Sequence, residues 1–337
     1  MRKIIILILA SITILGCWPI LKDRNGKFMK EVVNLSDFNS EFDDYNSTLP
    51  ANRFGEFYLT FSSKREKKKY FNLVGFHAAL EYNEKKNYPY LVKSTNGNLD
   101  FFSVNNFIPN FEQIINGDFN VLGPYVINKY NLITFDKSPK FEFLFYADDE
   151  KGHFDIKTIF TNTKGLPEKV DLDYLNSEKN DAYPFVNFQG NEIYFCSDRN
   201  GDFDIFHSKI GENETTYQTD LKSQILSPKN PDIKILNQLS IKGYDDKCPF
   251  LYSESLLIFT SNRPGGFGGF DIYYCNIVNG VISNPINAGP RINTKYDEYR
   301  PIIPFLTDFN YPLMIFSSNR PGGKGGFDLY MTGLLER

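Results

Sequence analysis

Four arginines, Arg65, Arg199, Arg263 and Arg320, recur just after short apolar runs. Three carboxylates, Asp181, Asp246 and Glu298, recur three places before a proline, at Pro184, Pro249 and Pro301. Two chemistries fit this spacing. The guanidinium groups could form a basic ring that grips a carboxylate or phosphate. Alternatively, each could pair with an acidic residue of the loops entering neighbouring strands, since a planar fork suits a fixed carboxylate. One copy carries Asp149-Glu150 where the arginine would stand, which breaks such a ring and favours structural pairing. The stretch Asp198 to Asp204, DRNGDFD, alternates oxygen ligands like a calcium loop. Phe203 occupies the place of the loop glycine and Lys209 that of the closing glutamate, so no metal is expected. Ser197 is followed two places on by Arg199, which fails a Ser-x-Asp-x-Gly pattern. A glycosidase needs two carboxylates roughly 5 to 9.5 Å apart, and nothing in the sequence singles out a pair. His77, His153 and His207 are scattered. The run Lys64 to Lys69, KREKKK, reads as a solvated turn, and it could also touch anionic headgroups where a lipid anchor holds the domain near a bilayer. No catalytic residue and no cofactor is expected.

The elements that carry these residues are set by a repeat. IFTSNRPGGFGGFDIY, from Ile258 to Tyr273, returns as IFSSNRPGGKGGFDLY, from Ile315 to Tyr330, with three changes in sixteen positions. Weaker copies start at Ile193, Leu144 and Leu59, and the faintest runs from Tyr90 to Phe102. A register of Asn72, Asp100, Asp155, Asp204, Asp271 and Asp328 gives six units. Each copy reads strand, turn, strand, because proline lacks the ladder donor and glycine supplies the positive φ of a tight turn. Four strands per roughly fifty residues predict a propeller blade. The last copy lacks its fourth strand, and Lys30 to Leu35 reads as an orphan one. Residues 27 to 35 are therefore expected to pair with Asp328 to Thr332 and close a ring, which removes sheet edges. Acidic prolines are expected at the first residue of their strands.

The N-terminus reads MRKIIILILASITILGC: a cationic start, an apolar run too short to span a bilayer, then a small residue before Cys17. It resembles a bacterial lipoprotein signal. That resemblance implies removal of residues 1–16, acylation of Cys17, including palmitate, and a short tether over 17–26. A net charge of −4 argues against a nucleic-acid partner. Cys196, Cys248 and Cys275 could hold one disulfide at most, and Cys196, aligned with Thr260 and Ser317, reads as a buried thiol.

SNRPGGFGGFDIY with an upstream acidic-x-x-Pro is similar to the WD40-like (PD40) repeat of TolB-type β-propellers, notably in lipoproteins of Bacteroidetes-like bacteria. The resemblance implies an all-β, six-bladed, TolB-like propeller over residues 27–337. It also implies an outer-membrane lipoprotein, facing periplasm or surface, that works as a non-catalytic scaffold for other envelope proteins. Asp155, Asp204, Asp271 and Asp328 would serve the repeat structure. The tips at Phe267 and Lys324, and the long stretch Gly211 to Leu239, are the expected partner contacts. The alternative is a surface protein that binds or cleaves glycans, marked by an exposed aromatic platform at the channel.

Overall fold

The computed structural model describes residues 28–50, 56–83, 88–93, 108–127, 143–162, 164–187, 189–211, 221–304 and 311–334. The acylation site Cys17, the signal and the tether lie outside them. After the short β1 (Val33–Asn34), the first blade holds β2 (Asp44–Thr48), β3 (Glu56–Ser63), β4 (Asn72–Asn83) and β5 (Tyr88–Lys93). A helix, α1 (Ile108–Ile115), precedes the second blade: β6 (Val121–Ile127), β7 (Phe143–Asp148), β8 (Asp155–Thr161) and β9 (Pro167–Asp171). The third comprises β10 (Asp181–Val186), β11 (Glu192–Ser197), β12 (Asp204–Lys209) and β13 (Asp232–Ile235), with α2 (Leu221–Leu226) before its last strand. The fourth runs β14 (Asp246–Tyr252), β15 (Leu256–Ser261), β16 (Asp271–Val278), β17 (Val281–Ile282) and β18 (Ile286–Asn287). The fifth is β19 (Glu298–Ile302), β20 (Leu313–Ser318) and β21 (Asp328–Gly333), completed by β1. Among the described residues no helix is long and apolar enough to cross a membrane.

There are five blades, not the six expected. The faintest copy is the source of the error. Its start, Tyr90 to Lys93, lies in β5, which pairs with β4 (Leu80↔Leu91, Ala79↔Val92) as the outer strand of the first blade. Asp100, which marked the extra unit, lies outside the described residues. An outer strand has the same apolar alternation as any strand, so periodicity could not tell a blade's fourth strand from a new blade's first.

Every inner strand contains a bulge. The register shifts between Tyr45 and Thr48, Leu122 and Tyr125, Ala182 and Phe185, Lys247 and Phe250, and Tyr299 and Ile302. The prolines fall here, inside β10, β14 and β19, rather than at the first residue of each strand as expected. A bulge leaves a residue out of the ladder, and the inner strand is a sheet edge, so the missing donor costs nothing. The first residue inside each shift adopts positive φ: Asn46 (57°), Gly123 (62°), Tyr183 (56°), Cys248 (58°) and Arg300 (50°).

Neighbouring blades are joined by a repeated clasp. The first residue of an inner strand donates its N–H to the carbonyl of a phenylalanine in the blade before it. The pairs are Asp44 with Phe327 (2.8 Å), Val121 with Phe71 (2.8 Å), Asp181 with Phe154 (2.7 Å), Asp246 with Phe203 (2.6 Å) and Glu298 with Phe270 (2.7 Å). The side-chain oxygen of the preceding residue, Asp43, Asn120, Asn180, Asp245 or Asp297, accepts the N–H of that same phenylalanine at 2.9–3.1 Å. Four asparagines add a second pin. Asn39, Asn116, Asn176 and Asn293 each bond both backbone groups of the second residue of a blade's third strand.

The ring closes where the N-terminal strand meets β21, through Val33↔Met331 and Asn34↔Tyr330. Leu35 donates to the Leu329 carbonyl (2.9 Å) and Gly333 to that of Met29 (3.0 Å). At this seam the backbones come very close: a Cβ on Gly325 would collide with the Phe42 carbonyl, as one on Gly268 would with that of Tyr296. This explains the glycine-rich half of the repeat. Gly325→Ala is expected to cost about 1–3 kcal/mol, read as a lowered melting temperature. Deleting residues 27–35 should expose β21 and unfold the last blade; a truncated chain that melts like the full one would show that the seam contributes nothing.

Candidate functional site

The four turn arginines make one contact set. In each, Nε donates to a serine hydroxyl (Ser63, Ser197, Ser261, Ser318) at 2.8–3.1 Å. In each, Nη2 reaches the acidic first residue of the same blade's inner strand: Asp44 at 2.9 Å, Asp181 at 2.6 Å, Asp246 at 2.6 Å and Glu298 at 2.9 Å. The same nitrogen also reaches a carbonyl of Phe38, Leu175, Leu239 or Ile292. The carboxylates are buried. Burial raises the pKa of Asp246 and Glu298, and it outweighs the arginine and hydroxyl contacts that lower them. The second blade inverts the charges. Asp148 replaces the serine, Glu150 stands at the arginine position, and Lys157 supplies the cation at 2.8 and 3.2 Å.

The repeat aspartates have different partners. Asp271 accepts the N–H groups of Phe267 (2.7 Å) and Gly268 (3.1 Å), and Asp328 those of Lys324 (2.5 Å) and Gly325 (3.0 Å). Asp155 contacts Lys151 and His153. Burial raises the pKa of Asp204. Phe267 is exposed, but the Lys324 ammonium donates to the Ser36 carbonyl (2.7 Å) at the ring seam. In DRNGDFD, Asp198 accepts from Asn180 and Asp202 from the Gly243 N–H. Among the described residues no group of three or more His, Cys, Asp and Glu is arranged for a metal. Cys196, Cys248 and Cys275 are free and buried.

Among the described residues the axis presents no open aromatic platform of the kind the glycan alternative called for. Tyr183 and Tyr299 are buried, and Tyr45 is half-buried with its ring 5.1 Å from that of Tyr299. Burial raises all three hydroxyls well above the usual phenol range.

A cleft of about 540 Å³ lies instead on the third blade, between its sheet and the segment around α2. Cross-strand pairing builds its floor. Glu192 faces Lys209, which faces Asp232; one pair further along, Tyr194 faces His207, which faces Lys234. Residues two apart on a strand share a face, so all six lie on one side of the sheet. Glu192 and Asp232 stand two strand spacings apart, about 10 Å between Cα atoms. The Tyr194 hydroxyl donates to Glu192 Oε2 (2.9 Å), and its ring stacks on His207 at 5.7 Å. Asp232 pairs with Lys234 at 2.5 Å. His207 is held neutral, because burial pushes its pKa down, and its Nδ1 is buried with no partner among the described protein atoms. The arrangement offers two carboxylates, an imidazole and cations in one recess. Sequence reasoning missed it because the six residues come from three separate strands. The available signal was the polar i, i+2 pairing in each: Glu192/Tyr194, His207/Lys209 and Asp232/Lys234. The cleft does border the 211–239 stretch singled out from the sequence.

One further carboxyl stands apart. Glu112, on α1, is pushed up to about 7 by burial, against smaller lowering contacts from Thr60 and Tyr58. It belongs to the packing of α1 on the first blade, away from the cleft.

No family model matches the chain, and no curated protein does. Solved structures share the fold. The catalytic domain of a GH62 α-L-arabinofuranosidase from Coprinopsis cinerea is 11% identical, with 91% of this chain and 97% of that one covered and a TM-score of 0.52. A fructofuranosidase from Schwanniomyces occidentalis, complexed with fructose, is 11% identical over 92% of this chain and 59% of its own, with a TM-score of 0.50. A protein from Agrobacterium tumefaciens assigned as TolB reaches 12% identity and a TM-score of only 0.38. At these identities the shared feature is the propeller. The expectation of a non-catalytic, protein-binding scaffold is corrected by the arabinofuranosidase and fructofuranosidase neighbours, whose propellers belong to glycoside-cleaving enzymes. Of the TolB-type resemblance, the β-propeller is what stands.

Arg263→Met would leave Asp246 buried and unpaired and is expected to cost roughly 3–5 kcal/mol; adding Asp246→Asn should recover most of the loss in a denaturant melt. Glu112 titrates higher in the folded chain than its ordinary value of 4.5, so folding favours its protonated form. The stability it contributes is intact below that value and is lost as pH rises through about 7. Glu112→Gln should therefore raise the melting temperature at pH 8, corresponding to about 3 kcal/mol of stability, and leave it unchanged at pH 4.

Proposed function

We propose that the protein acts on glycans, holding a saccharide in the third-blade cleft between the β11–β13 sheet and the segment around α2. The observation that carries this reading is the single-faced grid of Glu192, Lys209 and Asp232 beside Tyr194, His207 and Lys234. Glycoside hydrolysis needs a pair of carboxyl groups across the scissile bond, about 6.5–9.5 Å apart when water attacks directly. The Cα atoms of Glu192 and Asp232 stand about 10 Å apart across Lys209, so the two side chains must lean toward each other over the substrate to reach that separation. His207 lines the cleft, and the buried Tyr194 ring stacked on it fixes its orientation. The lysines favour a glycan that carries carboxylate or sulfate groups. The glycoside-cleaving neighbours support the reading at the level of fold.

Purified protein is expected to bind and release reducing ends from at least one polysaccharide in a panel of neutral and anionic substrates. Glu192→Gln and Asp232→Asn should each lower release about 10²- to 10⁴-fold, the usual contribution of a positioned acid or base, while binding persists. Tyr194→Ala should weaken binding. No binding and no release by the unaltered protein anywhere in the panel would remove the proposal.

A further inference from the structure

The five bulge residues hold equivalent positions on the innermost strands around the propeller axis, and they are not alike. Asn46, Gly123, Tyr183, Cys248 and Arg300 occupy equivalent places in consecutive blades. Arg300 is 1% exposed, the largest fully buried side chain among the described residues. It crosses the axis rather than staying in its own blade. Its Nη2 donates to the carbonyls of Gly123 (3.3 Å) and Pro124 (3.1 Å) in the second blade. Its guanidinium lies 5.6 Å from the Tyr183 ring centre in the third blade. The missing side chain at Gly123 is part of this fit, since a Cβ there would press on Tyr183 at 2.8 Å.

What Arg300 lacks is a counter-charge. The other four arginines of the repeat each hold a carboxylate, whereas no described carboxylate pairs with Arg300. Its Nε and Nη1 have no partner among the described protein atoms. Lys247 nearby already holds Asp245 at 2.6 Å. The Cys248 thiol is no substitute, because burial pushes it up to about 12 and outweighs Arg300. An arginine stays protonated even when buried, and a buried charge is costly unless paired. Asn46, in the adjoining blade, is 0% exposed and its amide is equally without protein partners. The adjoining Tyr45 and Tyr299 rings, one residue earlier on each strand, sit 5.1 Å apart.

We propose that the axis of the propeller binds a small inorganic monoanion of the halide class, held by Arg300 Nε and Nη1 with the Asn46 amide as a further donor. The enclosure sets the size class. Buried walls on every blade exclude a sugar acid or a phosphoester, and two free donors on one guanidinium suit a single anion. The site would lock Arg300 across the ring, so that the anion acts as a structural pin rather than as a substrate.

The test uses the full chain. Its melting temperature should rise by a few degrees in sodium bromide over sodium gluconate at equal ionic strength, since gluconate is too large to enter. Crystals grown in bromide should show an anomalous peak beside the Arg300 guanidinium. Arg300→Gln should abolish both. Asn46→Asp supplies a carboxylate in place of the anion, at a φ that aspartate tolerates. This variant should melt higher than the original chain and lose the bromide response, which keeps the test decisive if Arg300→Gln does not fold. A water with no anomalous signal beside Arg300, or a bromide response retained in Asn46→Asp, would overturn the proposal.

Discussion

Everything in this molecule rests on the clasp between one blade's phenylalanine and the next blade's inner strand. A propeller blade has no core of its own and must bury both faces against its neighbours. The clasp fixes that contact with two hydrogen bonds to one residue, the N–H and the carbonyl of the same phenylalanine. Each bond contributes about 1 kcal/mol net. The larger effect is geometric. With the phenylalanine backbone fixed, its ring falls into the axial cluster with Tyr45, Tyr299 and their counterparts. Five copies in a closed circle then reinforce one another, and opening one interface strains the rest.

The charged contacts of the repeat belong to the same device. An acidic residue starts each inner strand in four blades, and the arginine that neutralises it comes from the turn that ends the next strand. That pairing ties the clasp to the turn after the adjacent strand, at the same end of its own sheet. A blade without it needs a substitute, and the second blade provides one by moving the acid to Asp148 and the cation to Lys157. The reversal shows that the constraint is charge neutrality at that place, not the identity of the arginine.

Function is then displaced to positions that the repeat does not control. The third-blade cleft uses residues at the far ends of its strands, where the copies have no shared motif. The bulge residues are another such set. Their backbone is fixed by the repeat, but their side chains differ in all five blades. A conserved scaffold with variable residues at fixed places is how a propeller acquires an individual site.

The ring seam was legible from the missing fourth strand at one end of the chain and the orphan strand at the other. The strand–turn–strand unit was legible because proline and glycine have few other uses. The blade count was not, since β5 and the start of a blade share one alternation. The proline positions were misjudged because a bulge leaves no mark on hydrophobic periodicity. Glu192 and Asp232 lie forty residues apart in sequence, and Arg300 and Gly123 much further. By itself, then, the sequence determined the local unit, through backbone rules that act over a few residues. Only the closed ring decided which side chains share a recess and which cation is left without a carboxylate, because those are relations between strands brought together by packing.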